Sequence, residues 1–266
     1  MEIAVGSRPG APQRGDDEAY VAEIVAPGVV LLAVAHGFGR IRERPAPAVA
    51  AQAVRDSLKR RVRSERRDPR AALSAAFATA NARVYAHSGS TEDYVASGTS
   101  LTAALIVGDH AFVAHVGGTR AYLGREGTLA TLTVDDALGE GTLRLITRTL
   151  GTQPTLEPSL AHVRLMHGDA LVLSSGALHE LLADDEIADA LRASASSEDV
   201  TARLLAIAGI RGDGAGTVIV GRAFHESAPD ANARRPQVRE AAIALAAMIA
   251  ATIVAIFMLH ALFAAA

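Results

Sequence analysis

Two short apolar runs, YVAEIVA and GVVLLAVA, stand near the start of the chain and are separated by Pro27-Gly28. Runs of this length, rich in valine and isoleucine and joined by a turn dipeptide, predict the two strands of a β-hairpin. Alanine, valine, leucine and phenylalanine then recur at helical spacing over 46–62 and over 69–87, with the polar break RSERRDP between them, so a pair of antiparallel helices is expected. After Gly98 the pattern shortens to TSLTAALIVG, HAFVAHVG, TRAYLGREG and TLATLTV, punctuated by Gly108-Asp109, Gly117-Gly118 and Glu126-Gly127. Alternating runs with tight turns predict an antiparallel meander. LAHVRLM and ALVLSS flank His167-Gly168-Asp169, helical spacing returns over 184–193 and 198–208, and TVIVGRA reads as a last strand. Helix pairs mixed with antiparallel strands place the chain in the α+β class, with helices layered on a sheet or sandwich.

Beyond that strand the pattern changes. Residues 224–240, FHESAPDANARRPQVRE, are polar, carry two prolines and show no apolar period, and read as a flexible linker. Residues 241–266 are apolar apart from Thr252 and His260. As a helix they would extend ~39 Å, against ~30 Å for a hydrocarbon core, so they read as a transmembrane tail anchor. Arg234, Arg235 and Arg239 precede this stretch and no charge follows it. The positive-inside rule then puts the N-terminal domain of a single-pass membrane protein in the cytoplasm. The expected organisation is a globular domain over 1–223, a linker over 224–240 and an anchor over 241–266. The opening MEIAVGSRPGAPQRGDDEAY has no basic segment followed by an apolar one, so no secretory signal is read there.

Composition narrows the chemistry. Half the residues are apolar and the net charge is −3, so the overall balance calls for no polyanionic partner. Lys59, Arg60, Arg61, Arg63, Arg66, Arg67 and Arg70 form a dense basic run. Without interleaved aromatics or a binding motif it does not point to nucleic acid; it reads as a solvated helix end or as a contact for anionic lipid. The chain has no cysteine, which removes disulfides and thiolate metal sites. Ser174-Ser175-Gly176 lacks the G-x-S-x-G elbow of a serine hydrolase. His110, His115, His162 and His167 lie in or beside strand-like runs and read as exposed or hydrogen-bonded structural groups.

Five stretches, in this order, carry a resemblance: LLAVAHGFGR; SGTSLTAALIVGDHAFVAHVGGTRAYLGREGTLATLTVD; ITRTLGTQPTLEPSL; HGDALVLSSGALHELLADDEI; and GDGAGTVIV. Over residues 10–222 the chain resembles the metal-dependent protein phosphatases, the type 2C serine/threonine (PPM) family. The resemblance implies two antiparallel β-sheets packed as a sandwich and flanked by helix pairs. It also implies two magnesium or manganese ions between the sheets, activating a water for attack on phosphoserine or phosphothreonine. Such ions need several convergent carboxylates, because they take hard oxygen ligands.

Carried over residue by residue, that site is changed. The family's first acidic pair falls on Asp17-Glu18, with the two side-chain lengths exchanged, and its metal-bridging aspartate falls on His36, followed by Gly37. Three further aspartate positions fall on Gly118, Gly176 and Gly214, and a phosphate-binding arginine matches Arg14, one residue closer to the acidic pair than in the family. Asp213 and Asp109 are neighbours that a shifted site would have to recruit. Only Gly139 to Leu145 stand where the family inserts a flap. The reading is a vestigial site with no catalytic or metal-binding residue and no cofactor, in a membrane-anchored pseudophosphatase. Its partner would be a protein, such as a serine/threonine kinase or a phosphoprotein. The alternative is a divergent phosphatase with residual manganese- or magnesium-dependent activity, built on Asp17, Glu18 and His36.

Overall fold

The computed structural model describes residues 1–8, 17–38, 45–64, 68–88, 98–139, 145–212 and 216–223. Strand β1 (Glu2–Arg8) opens the chain, and β2 (Asp17–Ala26) and β3 (Val29–Phe38) form the expected hairpin. Gly28 takes φ 72° in the turn, a conformation that costs a residue without Cβ nothing. Helices α1 (Ala46–Ser64) and α2 (Pro69–Ser88) follow where helical spacing places them. Next come β4 (Gly98–Val107), β5 (His110–Val116), β6 (Arg120–Arg125), β7 (Thr128–Thr131) and the two-residue strands β8 (Ala137–Leu138) and β9 (Leu145–Ile146). The domain ends with β10 (Ser159–Arg164), β11 (Ala170–Ser174), α3 (Gly176–His179), α4 (Asp184–Ala193), α5 (Ser197–Arg211) and β12 (Gly216–Arg222).

These strands make two five-stranded antiparallel sheets, ordered β1-β12-β11-β6-β7 and β10-β5-β4-β3-β2, with β8 and β9 paired separately. Side chains alternate across each strand, and every layer follows from that period. On β3, Leu31, Ala33 and Ala35 pack under α1 and α2 against Leu58, Leu73 and Phe77. Leu32 and Val34, one step out of phase, meet Leu171, Leu173 and Ile219 of the other sheet. On the far side Tyr122, Val172 and Val218 are covered by Ile187 of α4 and Leu204 of α5. The α+β sandwich of two antiparallel sheets with helices outside is thus the observed architecture.

One sequence-based expectation is corrected. The four runs after Gly98 do not form a single meander: β4 and β5 lie in one sheet, β6 and β7 in the other. The chain crosses at Gly117-Gly118-Thr119. Gly117 takes φ 98°, and a Cβ there would stand 2.2 Å from Ser100 Oγ, so the crossing admits only glycine. Gly118 N–H donates to Ser100 Oγ at 2.9 Å, and Gly117 N–H donates to Asp136 Oδ2 at 2.9 Å. The apolar period is the same on both sides of the crossing, which is why it does not show in the pattern.

Among the described residues no helix is long and apolar enough to cross a membrane. The expected anchor over 241–266 and linker over 224–240 lie outside the described residues.

Candidate functional site

At one end of the sandwich, β2 and β3 bring Glu18 opposite His36 and Asp17 opposite Gly37. Adjacent strand residues face opposite ways, so the acidic pair is divided. Glu18 turns inward, where its Oε2 accepts a hydrogen bond from Thr217 Oγ1 of β12 at 2.5 Å, while Asp17 is exposed. Thr217 is itself held: its N–H donates to Ser175 Oγ at 3.0 Å, and its hydroxyl lies 3.0 Å from Ser7 Oγ. The two sheets are therefore stitched together through one carboxylate and a row of hydroxyls.

His36 fills the space between them. A Cβ built at Gly176 would lie 3.1 Å from His36 Nδ1 and 3.4 Å from the Gly118 carbonyl oxygen. The imidazole thus sits against the position from which a side chain at 176 would project, and the Gly118 carbonyl borders that same position. Gly37 is fixed by a different contact, since a Cβ there would stand 2.5 Å from Pro47 of α1. Two atoms at this spot, Glu18 Oε1 and His36 Nε2, are buried and have no hydrogen-bond partner among the described residues. Arg14 and Gly214, with Asp213 beside it, lie outside the described residues. Asp109 stands in the turn between β4 and β5, paired with Arg164 at 2.7 Å, and is not part of the site.

Sequence reasoning missed the polar lining. Ser100 and Thr102 on the inward face of β4, Thr119 after the crossing, and Thr217 at the start of β12 are all buried. Hydroxyls inside otherwise apolar strands were the available signal. His115 belongs to this layer: it is fully buried, with Nδ1 2.9 Å from Thr102 Oγ1, which in turn lies 2.7 Å from Thr119 Oγ1. Burial pushes the His115 imidazole below the ordinary histidine range, and the attraction of Asp136 and Asp135 only partly offsets it. The folded state therefore prefers the neutral ring. Its contribution to stability is complete above the ordinary pKa of ~6.5 and is lost as pH falls below that value, because the unfolded chain binds the proton more readily. Urea unfolding midpoints are expected to fall between pH 7 and pH 5, and His115→Gln should flatten that slope.

The protein phosphatase 2C family profile matches residues 29–137. The serine/threonine protein phosphatase PstP of Mycobacterium tuberculosis is 32% identical over 224 residues, which are 78% of this chain and 42% of PstP. The chain contains a domain of the protein phosphatase 2C family. A 2C-type relative from Streptococcus pyogenes is 28% identical over 148 residues, 50% of this chain and 60% of that protein. The chain thus spans roughly half the length of these curated relatives. A crystal structure of the M. tuberculosis phosphatase PstP/Ppp superposes with a TM-score of 0.71 at 27% identity, covering 84% of this chain and 99% of that one. The PstP catalytic domain in complex with two manganese ions superposes with a TM-score of 0.70 at 28% identity, covering 84% and 98%.

That second structure corrects the expectation that no cofactor belongs to this domain: manganese is what the 2C-type fold holds in a close structural neighbour. The side chains of this chain have to be tested against it. Two hard cations need several convergent oxygens. Among the described residues, no three His, Asp or Glu side chains gather closely enough to hold a metal. The described donors do not make a two-metal centre. What they do supply is Glu18 Oε1 and His36 Nε2, both buried and unpartnered.

Proposed function

We propose that this 2C-type domain works by binding rather than by hydrolysis: a membrane-anchored pseudophosphatase whose partner is a serine/threonine kinase or a phosphorylated protein. The observation that carries the reading is the seat of His36. Its ring takes the volume beside Gly176, where the resemblance expects a carboxylate, so these two substitutions are spatially matched. A site that had merely lost ligands would leave a void there. The anchor over 241–266 and a cytoplasmic domain complete the proposal, resting on the uninterrupted apolar stretch and the arginines before it.

The test is release of phosphate from a phosphothreonine peptide by the full chain with manganese. The expected result is no release above a protein-free control. Manganese-dependent release that disappears in Glu18→Ala would overturn the proposal.

A second reading, a divergent metal-dependent phosphatase with residual activity, is favoured by the unpartnered pair Glu18 Oε1 and His36 Nε2. Buried polar atoms without partners ask for an explanation, and one cation shared by a carboxylate and an imidazole would supply it. That reading requires stoichiometric manganese binding by calorimetry, abolished in His36→Ala.

A further inference from the structure

Strand β10 is the last strand of its sheet, and three rings tie it to β5. In the strand register His162 stands opposite Phe112 and Arg164 opposite His110, so these four side chains share one face. Phe112 packs against the core beneath α1 and α2, which makes that face the helix side. The His162 ring stacks on Phe112, with centroids 4.6 Å apart and planes inclined by 19°. His162 Nε2 lies 2.9 Å from His110 Nδ1, while the centroids of the two imidazoles are 5.1 Å apart and their planes are inclined by 20°. Nitrogens that close across such a spacing face each other in line, the geometry of an N–H···N hydrogen bond.

That bond needs one nitrogen carrying its proton and one keeping its lone pair, whichever tautomers supply them. The pair therefore keeps it with both rings neutral or with one ring charged. Charging both rings turns both facing nitrogens into donors, breaks the bond and sets two like charges side by side. The surroundings do little to relieve this. Asp109, in the turn before β5, has Oδ1 3.6 Å from His110 Nε2, but its Oδ2 is held by Arg164 at 2.7 Å. From α2, Arg70 acts on His162, and Asp68 just before the helix accepts from the Ala71 N–H at 3.0 Å. β4 offers only the apolar Val107 opposite His110. Lost contact with water, then the charges of His110 and Arg70, hold His162 below the ordinary histidine range.

We infer that His110 and His162 form a pH-sensitive latch: at neutral pH their hydrogen bond holds the edge strand β10 on β5, and in acid, with both rings charged, β10 comes away and uncovers Phe112 and the edge of β5. The unfolded chain takes up protons on these rings more readily than the folded pair takes the second one. The latch is accordingly complete above the ordinary histidine value of ~6.5 and weakens as pH falls below it. It involves neither the Glu18 and His36 end nor the tail.

Hydrogen exchange of the full chain in detergent micelles, read by mass spectrometry at pH 7.5 and 5.5 and corrected for the intrinsic rate, tests the latch. Acid also weakens the whole domain through His115, so β11 of the other sheet serves as the reference. Exchange over Ser159–Arg164 is expected to speed up roughly five-fold more than over Ala170–Ser174, as two like charges at this exposed spacing would cause. His162→Phe keeps a ring on Phe112 without a charge and should remove the difference, as should His110→Gln. In His110→Gln the NMR titration midpoint of the His162 Cε1–H should also move up. Equal acceleration of β10 and β11 in the unaltered chain would overturn the latch. So would a difference that survives in both variants, or a His162 midpoint that His110→Gln leaves in place.

Discussion

Gly176→Asp is expected to destabilise the full chain by about 2–4 kcal/mol, the range for burying a charge without a partner and overfilling a packed site. The new Cβ would stand 3.1 Å from His36 Nδ1, and the carboxylate beyond it would enter a volume shared with the Gly118 carbonyl. Glu18 lies across the strand pair from His36, so the added charge would also face a like one. Two carboxylates ~4 Å apart repel by about 1–4 kcal/mol depending on screening. The companion variant His36→Asp/Gly176→Asp removes the steric contact and keeps the repulsion. It should unfold early in EDTA and recover on adding manganese, because a ligand that binds only the folded state stabilises it. Thermal unfolding with and without metal reads both effects. If Gly176→Asp shifts stability by less than about 0.5 kcal/mol, as an ordinary surface change does, the packing argument for the silenced site fails.

Asp169→Ala should cost about 1–3 kcal/mol, the range for leaving a buried donor without its acceptor. Asp169 is 2% exposed, yet its carboxylate accepts three hydrogen bonds. Its Oδ1 accepts from Arg125 Nε at 2.9 Å, and its Oδ2 accepts from Arg125 Nη2 at 2.6 Å and from Met166 N–H at 2.7 Å. Deleting the carboxylate strands the Met166 N–H, while the Arg125 guanidinium keeps the Arg164 carbonyl and solvent; a buried donor left without an acceptor costs more than the bond was worth. Asp169→Asn keeps an acceptor for Met166 and should lose about half as much. Urea unfolding should show a lower midpoint with an unchanged slope in both.

Much of the sandwich is written locally. The β2 and β3 hairpin follows from Pro27-Gly28 between two apolar runs, and both helices from alanine-rich spacing that excludes a strand. β1 escaped because Glu2–Arg8 offers only Ile3 and Val5 as large apolar residues, and its partner β12 lies at the other end of the domain. The division of the Asp17-Glu18 pair between two faces is a consequence of strand period and could have been read once β2 was assigned. The seat of His36 against Gly176 could not: it joins β3 of one sheet to α3 after the other, and no spacing within either segment encodes that contact. Motif order identified which positions had changed, and only the packing shows that the changes fit one another.

The pairing of β1 with β12 has a consequence in time. Glu2 meets Arg222 and Arg8 meets Gly216, so the first strand made is completed by the last. During synthesis β1 leaves the ribosome with its ladder groups unmet and keeps them so until nearly the whole domain has followed. The second sheet, whose strands β2 to β5 are joined mostly by short connections, can close much earlier. Long-range pairing of this kind slows folding and leaves an open edge while it waits. The nascent chain should therefore depend on chaperone cover at Glu2–Arg8 more than at any other strand.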